Sequence, residues 1–280
     1  MKPAAFTYHR ASSVGRAVEL LTELGDDAKL IAGGQSLVAM MSFRLARPEH
    51  LIDITHLDGL TGIKRIGDAL HVGALTTHRG IEVADLGPDF AVLSRTMKWV
   101  GHLPIRTRGT IGGSLAHADA TAEWCNLAVL LDALLIVEGP AGRRQIPAQK
   151  MFLGPFTTAL NPDELIVEIV FPRPAPRAAL TEYADRQGDF AIVSAAVDLG
   201  QNVDDPGTPL VVLGGIAPIP VRATPGPDFT GPVEPHRFGD FAAAVAEHAE
   251  IREEAGISAH YRRGLVRTLV ERACKEAAAA

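Results

Sequence analysis

Cysteine is nearly missing from this chain. Cys125 and Cys274 are the only two in 280 residues, and each stands alone. That leaves no disulfide framework, no zinc spacing and no ligand set for an iron–sulfur cluster. Basic charge is short as well. The 27 Lys and Arg are outnumbered by 33 Asp and Glu, so the net charge of −6 gives nucleic-acid binding no electrostatic support. No apolar run reaches the ~18 residues that a membrane helix requires. The opening residues, Met1-Lys2-Pro3-Ala4-Ala5-Phe6, do not read as a signal peptide, and the expected location is the cytoplasm. Two phosphate-binding signatures are also absent. There is no G-x-x-x-x-G-K-S/T, and no G-x-G-x-x-G follows a strand.

Two glycine-paired loops carry most of the information instead. The first is Ala32-Gly33-Gly34-Gln35-Ser36, followed by Leu37. The second is Thr110-Ile111-Gly112-Gly113-Ser114, running on into Leu115-Ala116-His117-Ala118-Asp119. Glycine lacks Cβ, so its backbone N–H approaches a ligand closely. Successive N–H groups that turn into one concavity form an anion nest, strengthened by an adjacent helix start. One pair alone reads as a tight turn. Two in one domain, each flanked by a hydroxyl residue, suit a ligand with two phosphates, such as a dinucleotide. Ser36 is not expected to be a nucleophile, because the final glycine of a nucleophile elbow is missing.

Periodicity places these loops. Val14, Ala17, Val18, Leu21 and Leu24 follow a helical rhythm, with Ser12 or Ser13 as cap and Gly25 as stop. Strands are expected at 29–32, 50–54, 69–74, 134–137 with a return at 143–146, 165–171, 190–199 and 210–216. Helices are expected at 90–100, 123–133, 238–254 and 259–277. Pro172, Pro174 and Pro176 interrupt the pattern and mark a boundary.

Several polar groups need weighing. His117, Asp119 and Glu123 lie close in sequence, but no further ligand cluster stands near them. They are expected to line a loop next to a ligand, or to open a helix with Asp119 as its cap, and no metal site is expected. Arg106 and Arg108 precede the second loop, where they suit a solvated face, carboxylates or a phosphate. Arg262, Arg263, Arg267 and Arg272 form a basic helix face, suited to solvent or a subunit contact. No residue demands a covalent or acid–base role, so no catalytic residue is assigned.

The blocks around these loops resemble a known family. Ala32–Leu37 with Arg44-Leu45-Ala46-Arg47-Pro48-Glu49-His50-Leu51-Ile52-Asp53-Ile54 is similar to the flavoprotein (medium) subunit of molybdenum hydroxylases. Carbon monoxide dehydrogenase medium subunits and the FAD domain of xanthine dehydrogenase belong to that family. Ile105 to Asp119, Arg186-Gln187-Gly188-Asp189-Phe190-Ala191-Ile192-Val193 and Leu213-Gly214-Gly215-Ile216-Ala217-Pro218 resemble it too, in order along the chain.

The resemblance implies an α+β fold. A two-part FAD-binding domain of the PCMH type, like that of vanillyl-alcohol oxidase, would span 1–174, with an inner boundary near 56–60. A smaller α/β C-terminal domain would span 175–280. Both glycine loops would contact the FAD pyrophosphate. Ala32, Gly33, Gly34, Gln35, Ser36 and Leu37 would line one side. Thr110, Ile111, Gly112, Gly113, Ser114 and Ala116 would line the other, with Val100 and Gly109 nearby. Asp119 would lie in the loop between, Glu123 near the adenosine, Leu165 or Ile166 beside the flavin, and Arg186 and Asp189 at its edge. Ala120 stands where the family usually has proline. Gln35 stands where carbon monoxide dehydrogenases often have histidine, which points away from carbon monoxide as substrate.

Function would follow by electron bookkeeping. A large partner would hold the molybdenum cofactor and oxidise the substrate. A small partner with 2Fe–2S clusters would pass the electrons on. This chain would take them on FAD and deliver them to NAD, a quinone or oxygen, and a dimer of heterotrimers is the expected assembly. Two rivals are a stand-alone flavin oxidase or reductase of the same superfamily, and a non-enzymatic assembly protein that keeps the loops for structure.

Overall fold

The computed structural model describes residues 2–200, 209–230, 232–253 and 256–280. It opens with β1 (Thr7–Arg10), α1 (Val14–Leu24), β2 (Ala28–Ile31), α2 (Leu37–Ser42) and β3 (His50–Asp53). The three strands form one parallel sheet in the order β1-β3-β2. The Ser13 hydroxyl accepts the Arg16 N–H at 3.0 Å, a cap worth about 1 kcal/mol, and Gly25 ends the helix at φ +59. Ala17, Val18, Leu20 and Leu21 bury one face of α1 over Ile52, Ile54 and Leu57. Strand β1 carries no sequence signal: Thr7-Tyr8-His9-Arg10 is polar and mostly exposed. Pairing with β3, Thr7 opposite His50, makes it a strand.

The next stretch holds β4 (Ile63–Ile66), β5 (Ala69–Gly73), α3 (His78–Glu82), α4 (Gly87–Thr96), α5 (Leu103–Arg106), α6 (Ile111–His117) and α7 (Glu123–Leu130). Then come β6 (Leu134–Gly139), β7 (Gly142–Pro147), the short hairpin β8 (Phe152–Gly154) and β9 (Thr157–Thr158), and β10 (Leu165–Phe171). A five-stranded antiparallel sheet forms in the order β4-β5-β10-β6-β7. Two helices are shorter than their periodicity predicts. Pro88 in the first turn starts α4 early, and it ends at Thr96 rather than Val100. Helix α7 stops at Leu130, and Asp132 just beyond turns left-handed at φ +53.

The remaining elements are β11 (Ala178–Tyr183), β12 (Val193–Asp198), β13 (Leu210–Gly214), β14 (Val221–Ala223), α8 (Phe238–His248) and α9 (Ala259–Ala278). The strands make an antiparallel sheet in sequence order. Successive side chains alternate between its faces. Val193, Ala195, Val197, Val211 and Leu213 pack against α8 and α9. Ala178, Leu180, Ala196, Leu210 and Val212 join the large core that contains α4, α6 and α7. The sheet is thus buried on both faces, so its strands read as continuous apolar runs. Strand β12 begins at Val193, not Phe190, because residues 185–190 form a turn with Gly188 at φ +85. Helix α8 ends at His248, where Ala249 is extended; Glu254 lies outside the described residues.

Ion pairs lock the junction. Arg173, between Pro172 and Pro174, reaches Asp198 Oδ2 at 2.6 Å and the Leu130 carbonyl at 3.3 Å. Arg222 pairs with Asp132 and donates to the Val129 carbonyl. The basic face expected on α9 is smaller than its sequence suggests. Arg262 is buried and donates to the Arg252 carbonyl at 3.1 Å, and Arg263 donates to the Ala246 carbonyl. Among the described residues, no helix is long and apolar enough to cross a membrane.

Candidate cofactor site

The first glycine loop leaves β2 at the end of the parallel sheet and enters α2. Gly34 sits at φ +72, a conformation that glycine adopts without strain. The N–H groups of Gly33, Gly34, Gln35, Ser36 and Leu37 donate to no protein acceptor among the described residues. They form an array of unclaimed donors on one turn. The Gln35 amide folds back to the Gly33 carbonyl at 3.1 Å, which leaves those donors uncovered.

The second loop is built differently, and the expectation of a nest there is corrected. Ile111 N–H donates to the Thr76 carbonyl at 3.1 Å and Gly112 N–H to the Ala74 carbonyl at 2.9 Å. Gly113 N–H donates to the Thr110 hydroxyl at 3.2 Å, and Ser114 N–H to the Thr110 carbonyl at 3.0 Å. These donors are consumed by docking and by the cap of α6. Gly112 serves packing: a Cβ there would come within 2.7 Å of Ala74 Cβ. The loop offers a ligand its surface, at half-buried Ser114 and exposed Ala116, rather than its amides.

The two loops meet. A Cβ on Gly33 would overlap the Arg108 carbonyl and lie 2.8 Å from Gly109 Cα, while Ala32 Cβ sits 3.8 Å from the place a Gly113 Cβ would take. Beneath them lies a pair that sequence reading missed. Trp124 Nε1–H donates to His78 Nδ1 at 3.0 Å in the interior, and His78 N–H donates to the Gly109 carbonyl at 2.9 Å. Burial, then the Arg106 charge, holds the imidazole near pKa 4, so it is neutral at pH 7. No local pattern marks His78 or Trp124, because their partners are remote in sequence. Arg106 is committed to Glu82 at 3.1 Å and to the Gly101 carbonyl at 2.9 Å, so it is not a phosphate ligand. Its other bond goes to the Val100 carbonyl, and Val100 itself is buried.

Downstream of α6 the chain turns through Ala118 at φ +54. Asp119 Oδ1 then accepts the Thr121 N–H at 2.9 Å and its hydroxyl at 2.7 Å. Glu123 begins α7. Burial of its carboxyl, then Asp119, pushes it up to about 7. Close by, Glu182 of β11 is buried with Oε2 unpaired, and burial plus Glu123 pushes it up to about 9. This second acid was also missed, because Glu123 comes from a segment remote in sequence. Among the described residues, no group of three or more His, Cys, Asp and Glu is placed to hold a metal.

Leu165 and Ile166 are buried on β10, which contacts α6: Leu165 shares an apolar cluster with Ala32 of the first loop, and Ile166 shares one with Ile111 and Leu115 of the second. Arg186 and Asp189 are exposed on a turn closed by the Asp189 N–H to the Arg186 carbonyl. That turn does reach the first half of the chain, since Gly188 packs directly on His102.

The two glycine loops thus meet in one place, with the N–H groups of the first left open and those of the second spent on docking and capping. Residues 4–174 match the family model for the FAD binding domain in molybdopterin dehydrogenase. Residues 178–277 match that for the CO dehydrogenase flavoprotein C-terminal domain. The chain belongs to this family of flavoprotein subunits. It is 37% identical to the 6-hydroxypseudooxynicotine dehydrogenase complex subunit alpha of Paenarthrobacter nicotinovorans, over 99% of this chain and 96% of that one. It is 34% identical to the carbon monoxide dehydrogenase medium chain of Afipia carboxidovorans, over 100% and 99%. A solved chain of carbon monoxide dehydrogenase from Hydrogenophaga pseudoflava superposes with a TM-score of 0.91 at 34% identity, covering 100% of this chain and 99% of that chain.

Proposed function

We propose that this chain is the FAD-carrying electron-transfer subunit of a heteromeric molybdenum hydroxylase. The observation that carries the reading is the row of unclaimed N–H donors from Gly33 to Leu37, closed on one side by the capped second loop. Such donors suit a pyrophosphate, which needs several hydrogen bonds and no metal. FAD, when bound, supplies the redox chemistry; the chain supplies position and electronics. The residues proposed to hold it are Ala32–Leu37 at the pyrophosphate, with Thr110, Gly113, Ser114 and Ala116 opposite. Asp119 and Glu123 continue the site on one side. Val100, Gly109 and the Arg186–Asp189 turn continue it on the other. No residue of this chain is assigned a catalytic step.

The relatives are named as a complex subunit and a medium chain, which supports a subunit role. The partners are then a large subunit with the molybdenum cofactor and a small one with 2Fe–2S clusters, arranged as a dimer of heterotrimers in the cytoplasm. The FAD-binding domain is taken as 1–174 and the C-terminal domain as 175–280. The organic substrate is oxidised in the large subunit, and the electrons leave this chain for NAD, a quinone or oxygen.

The test is reconstitution. The purified chain is expected to bind FAD stoichiometrically and to leave organic substrates untouched. Addition of its partners is expected to give substrate-dependent bleaching of the flavin. Oxidation of an organic substrate by the chain alone, at an enzymatic rate, would replace this reading with the stand-alone oxidase. A chain that binds no flavin would leave only the assembly role.

A further inference from the structure

His78 stands where three segments meet. It opens α3, which is capped by the Thr77 hydroxyl on the Gly80 N–H at 3.0 Å. The residues just before it are bonded to the second loop. Thr77 bridges Thr110 as in an antiparallel ladder, and the Ile111 N–H donates to the Thr76 carbonyl at 3.1 Å. Its ring stacks with that of Trp124 from α7, the planes 24° apart. The nearby charges do not hold the ring, since Arg106 and Arg79 both pair with Glu82.

The imidazole is anchored through one nitrogen. Nδ1 accepts the Trp124 indole N–H, whereas Nε2 bonds to no described residue. The Nε2 edge presses instead on Gly109. A Cβ on Gly109 would come within 2.7 Å of His78 Cδ2 and 2.8 Å of Nε2, so only glycine lets the ring seat there. Gly109 Cα in turn lies 2.8 Å from the place a Gly33 Cβ would take. From Trp124 to Gly33 the contacts run without a gap: one hydrogen bond, then two approaches too close for a methyl group. A close-packed interior passes a displacement on rather than absorbing it. The row of open N–H donors, Gly33 to Leu37, starts at the far end of this series.

We infer that His78 is a positioning residue for the cofactor site: its imidazole edge, seated by Trp124, props Gly109 against Gly33 and so sets where the first loop presents its donors. The inference rests on the proposed FAD site, to which it adds a residue that acts through Gly109 and touches no cofactor. Donors that serve one pyrophosphate must be held to a fraction of an ångström, and a loop left loose behind them binds more weakly.

The test makes a bump and a hole in the full chain, stripped of flavin and titrated with FAD, with thermal melting as the folding control. Gly109→Ala adds the methyl group that the ring excludes, and FAD affinity is expected to fall about tenfold. His78→Asn keeps an amide oxygen for the indole N–H and removes the edge that meets Gly109. Its FAD affinity is expected to fall about as far, with melting close to native. In the double variant the methyl group fills the space the ring has left. Most of the affinity should return, because the two changes act on one contact. Undiminished FAD binding by Gly109→Ala would overturn the inference, even if His78→Asn did not fold. So would losses that multiply to about a hundredfold in the double variant. Affinity that merely follows the melting temperature through all three variants would make the ring structural only, and would overturn it too. Failure of the native chain to bind FAD would strike the proposed function instead.

Discussion

Gly33 lies directly on the Arg108 carbonyl, so the two glycine loops are in backbone contact with no room for a methyl group between them. Gly113 is less tightly held. A Cβ there would meet the Thr110 hydroxyl at 2.8 Å, a side chain that can rotate away, and Ala32 Cβ at an ordinary 3.8 Å. Gly33→Ala is therefore expected to part the loops and to yield protein with little or no flavin. Gly113→Ala should disturb one helix cap, at about 1 kcal/mol, and keep most of its flavin. Flavin absorbance per chain, with thermal melting as a folding control, measures both. Equal flavin content in the two variants would show that loop contact does not set the site.

Glu123 and Glu182 give the flavin-free chain a pH dependence of defined sign. Their carboxyls are pushed up to about 7 and about 9, so the folded chain keeps protons that the unfolded chain releases near its ordinary carboxyl value. Stability then falls as pH rises through that range. His78 acts oppositely: its pKa, lowered to about 4, makes stability fall as pH drops below the usual histidine value of ~6.5. Between pH 7 and 9, Glu182 contributes alone of the three. Glu182→Gln is expected to flatten the melting temperature across that interval and leave the acid-side decline intact. An unchanged slope from pH 7 to 9 in this variant would exclude Glu182 as its source.

The indole of Trp124 fixes which nitrogen of His78 carries the proton. Its N–H donates to Nδ1, which places the imidazole proton on Nε2, beside Gly109. Trp124→Phe would leave Nδ1 buried without a donor, at a cost of about 1–3 kcal/mol. The expected readings are a lower melting temperature and loss of the single-tautomer signature in nitrogen NMR of His78. A retained signature would mean that the second loop, not the indole, holds the ring.

Local signals carried much of this architecture. Helix α1 was readable because its apolar face, its Ser13 cap and its Gly25 stop all lie within the segment. Strand β10 was readable because Leu165 to Phe171 is apolar at every position but Glu168. The first loop was readable because its glycine pair marks a turn, with Gly34 at positive φ, whereas the second pair falls in the first turn of α6. What the second loop does with its amides was not, since Thr76 and Ala74 come from a distant segment. For the same reason His78, Glu182 and the polar strand β1 gave no signal. Arg106 looked available for a phosphate, yet it is spent on Glu82 from α3, an ion pair between segments that only the folded chain brings together.

The most buried charge at the junction is Asp198, which has no solvent exposure. Its Oδ2 takes Arg173 Nη1–H at 2.6 Å, and its Oδ1 takes the Gly200 N–H at 2.8 Å. Arg173 belongs to the proline segment that leads from β10 to β11, so this pair ties that connection to the last sheet. Removing one partner of such a pair leaves an uncompensated buried charge, which costs about 3–5 kcal/mol. Arg173→Met is therefore expected to lower the melting temperature by roughly 5–10 °C for a chain of this size. Adding Asp198→Asn removes the stranded charge while keeping an acceptor for Gly200. The double variant should then recover a large part of the loss, because the two changes are coupled rather than additive. Denaturant unfolding of the two single variants and the double variant measures that coupling. Simple additivity of the two losses would show that the pair contributes no more than a surface contact.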